Sequence, residues 1–285
     1  MNESANTRAG REHIPFTGAE YLESLNDDRE VWIYGERVEN IAEHPAFRNS
    51  ARMIARPYDV LHDPARKDVL TAPTEWGGFT HRFYRAPGTV EEQVASRDAI
   101  AEWQKIAWGR MGRSLDYKGC FLGTLGANAE FYRGFEDNAR AWYRKAQEKT
   151  WYFNHAIMNP PVDRGLGADA GRGVFIRVTR EADAGFYVKG AKVVATGSAL
   201  THHTFVCHVG QVAVQDPAFS PVFITPTNAP GVKLLCRTSN EYRMKRTYRG
   251  RIAVISRAFG VRRAYEWRSR QAGPTARGVR WRGCR

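Results

Sequence analysis

Trp151-Tyr-Phe-Asn-His-Ala-Ile-Met-Asn-Pro-Pro-Val-Asp-Arg164 separates two halves of the chain whose apolar residues recur with different periods. Before it the spacing is helical, and after it the apolar positions alternate as in strands. Pro160-Pro161 cannot continue a helix, because proline lacks the N–H and its ring clashes with the preceding turn. His155 is therefore expected near the end of a long helix covering about Ala129 to Asn154, just before the backbone extends. A helix-to-loop junction exposes backbone groups that a ligand can take up, and such loops often carry function. An interdomain hinge with a surface histidine fits the same composition.

Working outward, Thr17-Gly-Ala-Glu20 and Thr89-Val-Glu-Glu92 are capping-box patterns, in which two orphan backbone donors are satisfied reciprocally. The first opens a short helix through Tyr21, Leu22 and Leu25. The second opens an amphipathic helix with Val90, Val94, Ile100, Trp103 and Ile106 as its apolar positions. Val31–Tyr34 reads as a short strand ended by Gly35, and His44 to about Leu61 as a helix kinked at Pro57. Ser114–Tyr117 restarts a helix through Phe121. Phe131, Phe135, Ala139, Trp142 and Ala146 line one face of the long helix, a core stripe rather than a cofactor box. In the second half Val174–Val178, Gly185–Val188, Lys192–Val194, Phe205–Val206, Val222–Ile224 and Val232–Leu235 read as strands punctuated by Gly and Pro. The fold class is α+β: a mainly helical domain over 1–152, then an antiparallel β-barrel or sandwich over 153–242.

Of the 285 residues, 42% are hydrophobic and 12% aromatic, enough for a real core. No run of 18 apolar residues occurs, so no transmembrane helix is expected. The N-terminus has no apolar signal core, and a cytoplasmic protein is the expectation. Cys120, Cys207, Cys236 and Cys284 are far apart and read as reduced, packed thiols. The net charge of +13 is confined to residues 243–285, where thirteen arginines and Lys245 face one acid, Glu266. Residues 1–242 are neutral.

Neither GxGxxG nor GxxxxGKS nor GxSxG occurs in the context that gives it meaning, so no Rossmann, P-loop or nucleophile-elbow chemistry is signalled. His202, His203 and His208 match no familiar ligand spacing, and no metal is expected.

A more specific signal comes from three stretches together: Arg113-Ser-Leu-Asp-Tyr117, Asn154-His155 through Asp163-Arg164, and Gly190-Ala-Lys through Leu200-Thr-His202. Their order and wording resemble the oxygenase component of 4-hydroxyphenylacetate 3-monooxygenase, the family of two-component phenol hydroxylases that use reduced FAD. Phe16–Leu22, Tyr34–Val38, His44–Asn49, Arg97–Trp103 and Asp183–Gly185 support it, and the resemblance covers about residues 14 to 238. It implies an acyl-CoA-dehydrogenase-like architecture in which a C-terminal helical domain follows the β domain. It also implies FADH2 supplied by a separate flavin reductase, O2 as co-substrate, a homo-oligomer, and no membrane or nucleic-acid partner. Hydroxylation ortho to a phenol hydroxyl would proceed through a C4a-hydroperoxyflavin shielded from water.

By the same resemblance Arg113, Tyr117 and His155 surround the substrate hydroxyl. A cation and two hydrogen-bonding groups suit developing phenolate charge, and histidine ordinarily titrates near working pH. His155, Ile157, Asn159, Pro161, Asp163 and Arg164 would line the flavin, and Thr196 would bond near its ring. Ser198 and Ala199 would begin a loop over the substrate. By composition alone, Thr196-Gly197-Ser198 is a turn between strands. Thr74–Gly78 and Arg110 depart from the family's wording, which leaves the particular phenol open.

At about Asn240 the resemblance ends and the basic tail begins. A nucleic-acid arm using Arg with Trp267 and Trp281, an ordinary disordered tail, and out-of-frame translation of a GC-rich gene all compete. The third is the reading taken, since the composition breaks where the resemblance does. The C-terminal helical domain is then absent, and apolar faces of both halves lie open. If that reading holds, the flavin pocket lacks a wall and the expectation for the chain is weak hydroxylation or a non-catalytic remnant; if it does not, the expectation is a working hydroxylase. A radical flavin dehydratase of the same superfamily is disfavoured by the scattered cysteines.

Overall fold

Thr17 and Thr89 cap the helices that begin at Gly18 and Val90. The computed structural model describes residues 13–108, 115–162, 171, 173–182, 185–208, 216–237 and the backbone of 261–264, with Tyr117 also described by its backbone alone. The helices are α1 (Gly18–Ser24), α2 (Arg48–Asp59), α3 (Lys67–Leu70), α4 (Val90–Ile106), α5 (Gly119–Ala127) and α6 (Glu136–Glu148). The strands are β1 (Glu30–Ile33), β2 (Glu36–Arg37), β3 (Thr71–Pro73), β4 (Phe79–His81), β5 (Phe153–Ala156), β6 (Arg177–Ala182), β7 (Gly185–Lys192), β8 (His203–Val206), β9 (Phe223–Pro226), β10 (Lys233–Cys236) and β11 (Val261–Ala264). They pack as two units, Met1–Leu25 with Arg48–Phe153, and Asn26–Phe47 with Asn154–Arg285. The sequence reading put residues 26–47 in the helical domain. They join the β unit instead, because β1 pairs in parallel with β10, Val31 opposite Leu234 and Ile33 opposite Cys236.

In the mainly helical unit the Thr17 capping box forms as expected, with Thr17 N–H donating to Glu20 at 2.8 Å. Gly18 N–H donates to Asp59 Oδ1 at 2.7 Å, and Tyr21 stacks on Tyr58 with centroids 4.9 Å apart. These two contacts join α1 to α2. Near the end of α2, Trp103 Nε1–H donates to the carbonyl of Pro57 at 2.8 Å. His81 stacks on Trp103 at 3.6 Å, and complete burial pushes its pKa down to about 3.

Two helix expectations need correction. Helix α4 buries Ser96, Ala99 and Trp103, while Val90 and Val94 are 70% and 41% exposed. Small residues flanking one large indole allow close approach, so size rather than hydrophobicity chose the buried face. The second is the long helix over Ala129–Asn154, which is broken. A 3-10 turn, Ala129–Tyr132, precedes Gly134 at φ +80°, and α6 ends at Glu148. Thr150, at φ +50°, donates its N–H to Gln147 O, and Trp151 N–H reaches Ala146 O. This is a Schellman ending with Thr where Gly is usual. His155 is accordingly a strand residue, in β5, and not at a helix end.

In the β unit, the described strands form small sheets with orders β10-β1-β2, β11-β7-β6 and β5-β8-β9; the pair β3-β4 belongs to the helical unit. Ala156, Ile176, Val188, Ala195 and Val206 make the core, with Phe186 edge-on to Phe223 at 5.6 Å. Val174–Val178 was expected as a strand, but β6 starts only at Arg177. The strand expected at Gly185–Val188 runs on through Gly190 to Lys192 as β7, while Val193 and Val194 of the strand expected at Lys192–Val194 lie beyond its end. Gly190 sits at φ +134°, where the backbone of Phe175 would meet any Cβ. Within the basic tail, expected to be irregular, Val261–Ala264 lies antiparallel to β7. A free strand edge accepts extended backbone whatever its sequence. The rest of residues 238–285 lies outside the described residues. No described helix is long and apolar enough to cross a membrane.

Candidate functional site

The site grows from β5. Asn154 and Ala156 are buried, whereas His155 and Ile157 are half-buried, the alternation an extended chain imposes. Asn154 Nδ2–H donates to Ser198 Oγ at 2.8 Å and to Thr196 O at 3.4 Å. Its Oδ1 is buried without a hydrogen-bond partner among the described residues. The segment thus gripped is a tight turn. Gly197 takes φ +82°, and Ser198 Oγ–H donates to Ala195 O at 2.5 Å. Thr201 Oγ1–H closes on Ser198 O at 2.9 Å. Val194, a β-branched residue at φ +62°, is strained where the chain enters this turn.

The far side of the turn is held by Arg29, only 4% exposed. Its Nε and Nη2 form a fork on Asp27 at 2.6 and 2.9 Å. Its Nη1 donates to Ala199 O at 2.8 Å and Thr201 O at 3.2 Å. Burial first, then the Arg29 cation and His203, hold His202 well below its usual pKa, so it is neutral.

Behind residues 157–159 stands Lys192, 3% exposed. Its ammonium donates to Ile157 O at 2.9 Å and Asn159 Oδ1 at 2.8 Å. The adjoining Met158 and Val193 form an antiparallel bridge, with Val193 N–H on Met158 O at 2.8 Å. Burial lowers the Lys192 pKa to about 8, against the opposing influence of Cys207.

The structure therefore gathers His155, Ile157, Asn159 and Pro161 in one run, and ties it through Asn154 to Thr196 and Ser198, while Ala199 is held by Arg29. Arg113, Asp163 and Arg164 lie outside the described residues. Tyr117 has its backbone in the 3-10 turn Leu115–Lys118, and its side chain is not described. Ser198 and Ala199, expected over the substrate, are 2% and 0% exposed, and the Ser198 hydroxyl serves the turn itself. Among the described residues no three His, Cys, Asp or Glu gather as a metal site. Among the described residues Cys120, Cys207 and Cys236 form no disulfide.

Three residues with clear roles here escaped the sequence reading. Arg29 and Asn154 hold partners 170 and 42 positions away, which no local pattern reveals. Lys192 had a signal: a charge set between Ala191 and the apolar run Val193-Val194-Ala195.

A family model described as "4-hydroxyphenylacetate 3-hydroxylase N terminal" matches residues 17–258, running past the break expected at Asn240. The chain is 58% identical over 238 residues to (3S)-3-amino-3-(3-chloro-4-hydroxyphenyl)propanoyl-[peptidyl-carrier protein] monooxygenase of Streptomyces globisporus, covering 83% of this chain and 44% of that one. It is 52% identical over 233 residues to the 4-hydroxyphenylacetate 3-monooxygenase oxygenase component of Pseudomonas aeruginosa, covering 80% and 44%. The crystal structure of the oxygenase component of 4-hydroxyphenylacetate 3-monooxygenase complexed with FAD and 4-hydroxyphenylacetate superposes with a TM-score of 0.78 at 27% identity, covering 89% of this chain and 54% of that one. The chain thus spans less than half the length of the curated relatives it matches. With 242 of its 285 residues inside the family match, the chain belongs to the 4-hydroxyphenylacetate 3-hydroxylase family, in its N-terminal part.

Proposed function

We propose that this chain carries the flavin- and phenol-facing residues of an oxygenase that uses FADH2 and O2 to hydroxylate a 4-hydroxyphenylacetate-like phenol ortho to its hydroxyl. The observation that carries this reading is identity above one half with monooxygenases whose names specify hydroxyphenyl substrates. The residues present fit a flavin. A half-buried face suits a planar ring, the buried Asn154 Oδ1 is an acceptor without a donor among the described residues, and the Lys192 ammonium suits an anionic ring. Ile157, Asn159, Pro161, Asp163, Arg164 and Thr196 would hold that group, which when bound supplies the electrons that activate O2.

His155 holds or takes the phenol proton, and Arg113 and Tyr117 stabilise the phenolate as it forms. Ser198 and Ala199 shape the substrate side, through their backbone turn rather than through free side chains. We place the protein in the cytoplasm, as a homo-oligomer served by a separate flavin reductase. Its architecture would be acyl-CoA-dehydrogenase-like, the small sheets of the β unit belonging to one barrel or sandwich. The test is an anaerobic titration of FADH2 into the purified protein, followed by the phenol into the complex. Saturable binding of flavin, then of phenol, is expected; no saturable flavin binding contradicts the reading.

A further inference from the structure

The Lys192 ammonium is nearly inaccessible, and no carboxylate pairs with it among the described residues. Taking an ammonium out of water costs several kcal/mol, which two neutral acceptors offset only in part. The titratable groups that interact with it are Cys207 and His208, and neither is a carboxylate. A structural role alone, joining β7 to residues 157–159, would be served as well by a neutral donor. What a cation adds is a positive field directed at whatever rests on that segment.

We infer that Lys192 is the counter-charge and positioning residue for a reduced flavin. It fixes Ile157 and Asn159 by its two hydrogen bonds, and favours the anionic reduced ring over the neutral oxidised one by its charge. The inference rests on the flavin reading above. It goes beyond it by assigning a redox preference to a residue outside the predicted site. A unit charge about 10 Å from another, at an effective dielectric of about 20, changes a binding equilibrium by roughly ten-fold or more.

The experiment compares dissociation constants for oxidised and anaerobically reduced FAD at neutral pH, and the midpoint potential of bound flavin. The protein itself is expected to bind reduced FAD at least about ten-fold tighter than oxidised FAD. Lys192→Gln keeps a donor toward Ile157 O and Asn159 Oδ1 but removes the charge. It should abolish most of that preference and lower the potential, while Lys192→Arg retains both. Equal weakening of the two redox forms in Lys192→Gln would overturn the inference, and so would absence of a preference in the unaltered protein, which needs no variant to fold. Binding of neither form by the unaltered protein would remove the flavin reading itself, and this inference with it.

Discussion

Replacing Gly190 by alanine is expected to destabilise the protein by about 4 kcal/mol in urea unfolding. Two separate costs combine there. The residue holds φ +134°, a conformation L side chains rarely adopt, and an added Cβ would run into the carbonyl and carbon of Phe175 and the nitrogen of Ile176. These are backbone atoms inside the β unit, where Ala191 N–H also bonds Val174 O at 2.7 Å, so nothing can swing aside. Gly35→Ala separates the terms: φ is +87° there, but no atom lies within 4 Å of the added Cβ. About 1 kcal/mol is expected for it. Gly173→Ala, free of both costs, should stay within about 0.5 kcal/mol. Equal effects at Gly190 and Gly35 would show that the close approach to Phe175 is not real.

The second large effect is expected at Arg29. Arg29→Met removes a buried cation that satisfies Asp27 and the carbonyls of Ala199 and Thr201 together. Breaking a buried pair by deleting one partner typically costs about 3–5 kcal/mol. Asp27 keeps some access to water at 25% exposure, so about 3 kcal/mol is expected. Arg29→Lys should recover little of it, since a single ammonium cannot reproduce the fork on Asp27 and also reach two carbonyls. Adding Asp27→Ala to Arg29→Met removes the stranded carboxylate and should restore part of the loss. Stability unchanged in Arg29→Met would mean that the Ala195–Thr201 turn does not depend on this clamp.

Capping chemistry was legible because it is local: Thr17 and Glu20 satisfy each other within one turn. Strands β7 to β10 were legible because alternation survives in short segments between Gly and Pro. What failed was the helix end before His155. An unbroken apolar stripe hid Gly134 and a positive-φ Thr150, and three consecutive aromatic residues then favoured a strand. Membership of residues 26–47 in the β unit was not readable at all, since it depends on β1 meeting β10 some two hundred residues later. In the site, the run from His155 to Pro161 came from resemblance to a family. The groups that hold it in place, Asn154, Lys192 and Arg29, came only from tertiary contacts.

The measurement that tests the central claim most directly is product analysis with FADH2 supplied by a flavin reductase, in air, with 4-hydroxyphenylacetate present. The account predicts an ortho-dihydroxy product formed in step with phenol-stimulated FADH2 consumption. His155→Ala should lower that turnover by about 100-fold or more, the usual worth of a positioned proton acceptor. FADH2 consumption indifferent to the phenol, yielding hydrogen peroxide and no catechol, would contradict it.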